Sequence, residues 1–308
     1  MHVLHLSDTH LGIHRYLRGG PPGWTRAVDH EVAFRRALAP ALREEADLVV
    51  HTGDLFNRSR PPTRAVARAA AILREVARRV PVIILPGNHD RRGLRRHLPH
   101  PDPGLHVLDR AARVVVAGLA LAVVPFLRTA KGWAEGARRA VGPGVDLLLA
   151  HQAFHGARVP GLTFRVGAQR DTVGAEHLPR GVAHVLCGHI HPRQALRVGA
   201  AEVVHPGATE RAAFSERSET KGYVLWTLDG QVSWRFVDLP SRPMLWLSRP
   251  EDLQQVATGT LVRLATTAVP EAAVLERGGL LFGPPLGATR PYSRRHPLSG
   301  QRQTRLFG

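Results

Sequence analysis

Leu85-Pro86-Gly87-Asn88-His89-Asp90 is the stretch around which the chain reads as organised. The apolar run Val82-Ile83-Ile84-Leu85 stops at Pro86 and Gly87, and an amide, an imidazole and a carboxylate follow in a row. That is the pattern of a buried strand delivering polar groups to its end. By itself, the segment reads equally as a polar turn that caps the next helix. Four other strand ends carry the same kind of cargo, and together they change the reading.

Upstream, residues 2–7 predict a strand that stops at Ser7-Asp8-Thr9-His10, and the glycines and prolines of 11–27 predict a loop. Residues 29–46 predict a helix, 47–52 a strand ending at Gly53-Asp54, and 63–79 a second helix behind Pro61-Pro62. Strand, helix, strand, helix, strand implies a parallel sheet with crossover helices. Such sheets bind ligands at the carboxyl ends of their strands, which is where every polar cluster falls. Downstream, 91–104 is a basic connection, 113–126 two strands around Gly118, and 131–140 a short helix. A buried strand at 145–150 ends at His151-Gln152, and a long loop of the kind that covers a site spans 152–181. A strand at 182–187 ends in Gly188-His189-Ile190-His191. Strands follow at 194–198 and 202–205, then a hairpin, 223–228 and 231–237, around Asp229-Gly230. Composition shifts near 239–243. Beyond it come a helix near 250–256 and a strand at 260–265, and from 284 Pro, Gly, Arg and Ser dominate without periodicity. The expected division is a main domain at 1–240, a short extension at 241–283 and a mobile basic tail at 284–308.

The 308 residues suffice for a sizeable core, and 44% apolar content is ordinary for a globular protein. No run of about 18 apolar residues predicts a membrane span, and the first residues lack the features of a signal peptide. Cys187 is the only cysteine, which excludes an internal disulfide and fits a thiol buried in a cytoplasmic protein. The net charge of +17, from 42 basic against 25 acidic residues, points to an acidic partner, nucleic acid first. Lysine occurs only at 131 and 221. Codon bias in a GC-rich genome accounts for arginine over lysine, but not for the excess of positive charge.

The strand-end groups are Asp8, His10, Asp54, Asn88, His89, His151, His189 and His191. Asp8/His10 and His189/His191 are i, i+2 pairs, and in extended chain that spacing puts both side chains on one face. Carboxylate, imidazole and amide ligands without thiolate suit a pair of divalent cations such as manganese, iron or zinc. One carboxylate can bridge two ions, and Asp54 beside Gly53 fits that role. Two ions roughly 3.5–4 Å apart generate a hydroxide and clamp a phosphoryl group for in-line attack. His89, the imidazole left without a metal, then protonates the leaving oxygen or stabilises the transition state. Each piece alone has a bland reading as a turn or a packed histidine; five strand ends together do not. The other histidines read blandly: His5 and His51 as strand supports, His97, His100, His106 and His177 as surface. His205, before Pro206-Gly207, either lines the site or packs behind it.

The blocks Asp8-x-His10, Gly53-Asp54, Gly87-Asn88-His89-Asp90, His151 and Gly188-His189-x-His191 resemble the calcineurin-like metallophosphoesterase superfamily over residues 1–210. Local wording resembles the SbcD-type DNA repair nucleases, the nuclease subunit of the double-strand-break repair complex. That wording is Ser7-Asp8-Thr9-His10-Leu11-Gly12, Gly53-Asp54-Leu55-Phe56, and His205-Pro206-Gly207-Ala208-Thr209-Glu210 followed by Phe214-Ser215-Glu216. The resemblance implies an α/β fold of four layers, α-β-β-α, and a site for two manganese ions. One ion would take Asp8, His10, Asp54 and His191, the other Asp54, Asn88, His151 and His189. His89 would be the catalytic histidine and Asp90 a structural neighbour. Many relatives carry a histidine, associated with exonuclease action, three residues after the bridging aspartate; Asn57 stands there in this chain. Relatives also carry a DNA-capping domain and a segment that docks on an SMC-like ATPase. Residues 241–283 correspond to a reduced cap, without evident docking helices after it. The function expected is a metal-dependent DNA phosphodiesterase, a 3′–5′ exonuclease or single-strand endonuclease in DNA repair. The alternatives are a small-molecule or phosphoprotein phosphoesterase on the same scaffold, or a DNA-binding scaffold subunit with a vestigial site. DNA is the expected partner. A homodimer through the Arg/Ala-rich helix at 63–79 competes with a solvated face there.

Overall fold

The computed structural model describes residues 1–13, 17–20, 25–98, 102–161 and 165–282. The basic tail expected at 284–308, and His100, lie outside the described residues.

A first six-stranded sheet gathers β1 (His2–Leu6), β3 (Leu48–His51), β4 (Val82–Ile84), β5 (Leu105–Val107), β12 (Lys221–Asp229) and β13 (Gln231–Leu239), in the order β13-β12-β1-β3-β4-β5. β1, β3, β4 and β5 are parallel, as the alternating strand and helix pattern requires. The crossovers are α1 (Arg26–Leu42) and α2 (Thr63–Ala77). A second six-stranded sheet holds β6 (Ala112–Val116), β7 (Leu119–Val124), β8 (Leu147–His151), β9 (His184–Gly188), β10 (Gln194–Val198) and β11 (Ala201–His205), in the order β10-β11-β9-β8-β7-β6. Helix α4 (Ala130–Ala140) covers it.

Strand alternation sorts the side chains into three apolar seams, and the seams define four layers. Leu4, Leu6, Val49, Val82 and Ile84 point to α1 and α2, meeting Phe34, Leu38, Ile72, Leu73 and Val76. Their strand neighbours Val3, Leu48, Val50, Ile83 and Leu85 point the other way, onto Leu121, Val123, Leu147, Leu149 and Leu186 of the second sheet. On that sheet's far side Ala122, Val124, Leu148, Ala150 and Cys187 pack under Trp133 and Ala137 of α4. The order is helices, sheet, sheet, helix. Burial raises the Cys187 thiol well above its usual range, so it is inert packing.

Several short elements escaped the sequence pattern. β2 (Leu17–Arg18) lies inside the expected loop of 11–27, and α3 (Leu94–His97) inside the expected connection. β14 (Met244–Leu247), α5 (Glu271–Glu276) and β16 (Leu280–Phe282) also follow the hairpin of β12 and β13 unannounced, whereas β15 (Leu261–Leu264) is the strand expected at 260–265; the helix expected near 250–256 is a 3₁₀ turn, Pro250–Gln255. The strands form a small sheet, β14-β15-β16-β2, so a piece from near the N-terminus completes the C-terminal unit. Elements of two to four residues carry no readable period. Among the described residues no helix is long and apolar enough to cross a membrane.

Buried histidines brace both sheets near the carboxyl ends of their strands. His5 Nε2 meets Thr52 Oγ1 at 2.9 Å, and His51 Nε2 meets Thr9 Oγ1 at 2.8 Å. His30 Nδ1 donates to Thr9 O at 2.9 Å, and His205 Nδ1 donates to Gly188 O at 3.0 Å. Burial lowers His30, His51 and His205 to about 3 each. The unfolded chain protonates these rings below about pH 6.5 while the folded one keeps them neutral, so acid favours unfolding. Stability is expected to fall as pH drops from 6.5 toward 3, by about 2 kcal/mol per histidine between pH 6.5 and 5. Urea unfolding at pH 7 and pH 5 checks this, with His205→Asn expected to shrink the difference; equal stability at both would refute it.

Candidate metal centre

The polar loops leave β1, β3, β4, β8 and β9 at their carboxyl ends. The chain does not remain extended there. Asp8, His10 and Asp54 have φ of 50°, 50° and 54°, and His189 has φ of 82°. Left-handed backbone costs a non-glycine residue on the order of 1–2 kcal/mol. The i, i+2 pairs therefore converge by left-handed turns, which corrects the expectation that extended geometry aims them. Cross-loop bonds hold this conformation: Asp8 N donates to Gly53 O at 2.9 Å, His10 N to Asp54 O at 3.0 Å and Leu11 N to Leu55 O at 2.8 Å. The Asp90 carboxylate accepts from Leu55 N at 2.9 Å, Phe56 N at 2.8 Å and Gly87 N at 3.3 Å. It braces the loops, while burial and the nearby Asp54 charge push it up to about 7.

Glycines at the cluster are sterically required. A Cβ on Gly87 would sit 2.1 Å from Asp54 Oδ1, and one on Gly53 would sit 2.2 Å from His151 Nδ1, with φ of +106° besides. Gly87 Cα thus lies against the central carboxylate, which is why Pro-Gly precedes Asn88.

All eight side chains selected from the sequence come together. Donor atoms of Asp8, His10 and His191 lie within 4.8 Å of one another, as do those of His10, Asp54 and His89, and those of Asp8, Asp54 and His151. Asp54 Oδ2 is the hub, 3.6 Å from His151 Nε2 and 3.9 Å from both His10 Nε2 and His89 Nε2. Asn88 Oδ1 lies 3.1 Å from His151 Nε2 and 2.9 Å from His189 Nδ1. His10 and His191 bring their Nε2 atoms to 3.1 Å.

The hydrogen bonds around the rim fix which ring nitrogens face inward. His151 Nδ1 donates to Thr52 O at 2.6 Å, which aims Nε2 at Asn88 Oδ1 and Asp54 Oδ2; the proton that Asp54 favours on that Nε2 is one that a cation held there would displace, leaving its lone pair inward. His191 Nδ1 faces Glu216 Oε1 at 2.9 Å, which turns its Nε2 lone pair toward His10 and Asp8. Acceptors thus converge on acceptors, and such a set is satisfied by a positive centre. Without thiolates, the set fits divalent cations. The electrostatics follow the same logic. Burial opposes a charge on Asp54, but the imidazoles of His151, His10 and His89 outweigh it and hold the carboxyl well below its usual range. Burial likewise opposes a charge on His151, yet Asp54 pulls it up to about 9. Burial drives His10 and His189 well below the imidazole range, leaving them neutral.

His89 differs from the rest. Its Nδ1 donates to the Asn57 backbone carbonyl at 2.8 Å, and its side chain is 24% exposed. It borders a groove of about 1360 Å³. His205 does not line the site; it is buried behind Gly188. His97 is half-buried rather than surface, its Nε2 donating to Ser59 O at 3.0 Å.

One contributor was quoted from the sequence without being given a role. Glu216 pairs with His191 through one oxygen and with Lys221 Nζ through the other, at 2.5 Å. Lys221 is 1% exposed. A signal existed: Glu216 closes the Phe214-Ser215-Glu216 wording that resembles the SbcD-type nucleases.

The family model for the calcineurin-like phosphoesterases matches residues 1–193. The DNA double-strand break repair protein Mre11 of Saccharolobus solfataricus is 29% identical over 200 residues, covering 62% of this chain and 49% of that protein. The D subunit of the nuclease SbcCD of Rhodobacter capsulatus is 28% identical over 326 aligned residues, covering 88% of this chain and 77% of that protein. Mre11 of Thermoplasma acidophilum is 27% identical over 72% of this chain and 58% of its own length. The matched part of the chain thus spans about half the length of these two Mre11 relatives.

Glu216 orients a ring whose other nitrogen faces the cluster, and partners of that kind typically contribute 10–100-fold to metal affinity. Glu216→Gln is expected to lower manganese affinity by that factor in calorimetric titration, and to destabilise the fold by leaving the Lys221 charge buried without its partner. Glu216→Gln combined with Lys221→Met should recover stability but not affinity. Recovery of both would refute the orienting role.

Proposed function

The chain belongs to the calcineurin-like phosphoesterase family, and from that premise we propose that it is a metal-dependent DNA phosphodiesterase of the double-strand-break repair type. The observation that carries the reading is the convergence of nitrogen and oxygen acceptors from five strand ends on Asp54. The names of the relatives, a DNA repair protein and a nuclease subunit, supply the substrate class. The net charge of +17 supports a polyanionic substrate.

Asp8, His10, Asp54 and His191 would hold one cation, and Asp54, Asn88, His151 and His189 the other; oxygen and imidazole donors suit manganese, iron or zinc, and the resemblance to SbcD-type nucleases favours manganese. A pair of such ions supplies an activated water and a clamp for the phosphoryl oxygens. The protein's own part is positional. His189 N donates to both oxygens of Asp8, at 3.2 and 3.0 Å, and His89 N donates to Asp54 Oδ1 at 2.8 Å, so both carboxylates are fixed before any ligand arrives. Preorganised groups of this kind need no rearrangement at the moment of reaction. His89 keeps its proton on Nδ1 for the Asn57 carbonyl, which leaves Nε2 facing the cluster, and as imidazolium it would give a proton to the leaving oxygen. That orientation uses the backbone of residue 57, so it tolerates Asn57 where relatives carry histidine. The small C-terminal sheet, completed by Leu17–Arg18, would be a reduced cap on a nuclease domain of residues 1–240. An SMC-like ATPase would be the partner, by analogy with the Rhodobacter relative, whose name makes it one part of a larger nuclease.

End-labelled duplex DNA and circular single-stranded DNA, incubated with manganese or with chelator, test the reading. Cleavage is expected with manganese alone. Asp54→Ala should abolish it, and full activity in that variant would sink the two-cation reading. His89→Asn should keep manganese binding while losing about 10²–10⁴-fold in cleavage rate. Hydrolysis of small phosphodiesters without DNA cleavage would hand the function to a small-molecule phosphoesterase.

A further inference from the structure

The loops that follow β3 and β4 deliver more than cluster residues. Together with the loops after β5 and β7 they place four arginines on one groove: Arg58 after β3, Arg91 after β4, Arg110 after β5 and Arg128 after β7. Arg139, on α4, closes the far wall. All five are exposed, and none forms an ion pair among the described residues. A single carboxylate, Asp109, shares the lining. Five guanidiniums of one sign around one groove repel each other, so the arrangement gains most from a polyanion laid between them.

The groove is continuous with the cluster: Asn88 and His89 line it, together with Pro86, Pro125 and Phe126. The Phe126 ring lies 5.7 Å from that of His189 and 6.3 Å from that of His151. A chain of phosphates with one member at the acceptor cluster would therefore have its next members between the arginines. We propose that this groove, on the His89 side of the cluster, is where the DNA strand lies, with Arg58, Arg91, Arg110, Arg128 and Arg139 contacting phosphates on one flank of the scissile bond. The inference rests on the nuclease reading and adds to it the side of the site that the substrate occupies. Contacts from arginine to phosphate position a strand without reading its sequence, so the groove gives affinity and register without sequence preference.

Two variants of equal charge separate this groove from a general effect of basicity. One is Arg110→Ala/Arg128→Ala/Arg139→Ala. The other is Arg35→Ala/Arg36→Ala/Arg78→Ala, which removes three exposed arginines from α1 and the end of α2. Binding to a labelled oligonucleotide is measured in chelator across a salt series, and hydrolysis of bis(p-nitrophenyl) phosphate is measured with manganese. The groove variant is expected to flatten the log–log salt slope by about 2 for a single strand, or about 3 for duplex, and to lose at least tenfold in affinity at low salt. The outer-face variant should keep both the wild-type slope and the wild-type rate on the small diester, and the groove variant should keep the wild-type circular dichroism spectrum and manganese affinity. Equal losses in the two triple variants, or no loss in the groove variant, would overturn the assignment of the groove. Absence of salt-dependent DNA binding by the wild type would instead overturn the nuclease reading on which it stands.

Discussion

The buried Asp54 carboxylate is the interaction on which the site depends. A lone carboxylate in a dry interior is strongly disfavoured and normally takes up a proton. Here three imidazoles face it, and its other oxygen accepts from the His89 backbone amide. The charge is retained because everything around it is arranged to favour it. Asp90, further along the chain and just as buried, shows the contrast: it accepts three backbone amides, yet the nearby Asp54 charge helps push it up to about 7. Two adjacent carboxylates are thus driven apart in acidity, one as the charged hub and the other as a hydrogen-bonded brace.

Keeping the hub in place has a conformational cost, borne by the backbone. Asp8, His10, Asp54 and His189 all sit at positive φ without being glycine. Isolated loops would relax out of that region. The loops after β1 and β3 instead extend the sheet's ladder past its formal end, and the Asp90 brace ties the second to the turn after β4. Gly53, Gly87 and Gly188 supply close approaches at which no side chain fits. Strain of this kind persists where surrounding structure over-determines it, and two packed sheets with three apolar seams provide that surrounding.

How much of this was legible in the sequence depends on length and on period. β1, β3 and β4 end in polar groups after apolar runs, so their existence and their cargo could be read from Leu85-Pro86-Gly87-Asn88-His89-Asp90 outward. Membership of the cluster was also readable, since Asp8, His10, Asp54, Asn88, His89, His151, His189 and His191 all converge. The means of convergence was not. The spacing of Asp8 and His10 looks the same whether the chain is extended or left-handed, and no residue type there announces φ of 50°. β2 and β16 were invisible for a different reason: two or three residues have no periodicity, and their pairing is a long-range event between Leu17–Arg18 and Leu281–Phe282. The role of Glu216 was hidden because it is set by a partner 25 residues away in sequence, His191, and not by its own neighbours.

Charge is partitioned in the same way as strain. The interior of the site has a carboxylate hub, two rings held neutral by burial, His10 and His189, and one buried ammonium, Lys221, balanced by Glu216. The groove outside it presents exposed guanidiniums. These two regions ask opposite things of a cation. Inside, a compact head must fit among fixed acceptors, and lysine meets that need by pointing its donors at Glu216 and the His191 carbonyl. Outside, a weakly hydrated planar fork can turn to meet phosphate oxygens wherever they fall, and arginine meets that need. The near absence of lysine from the chain therefore obscures nothing at the surface, where arginine serves as well or better. Burial alone does not decide the choice inside, since Arg26 is as buried as Lys221; what a compact ammonium matches at Lys221 is the close pair of acceptors, Glu216 and the His191 carbonyl.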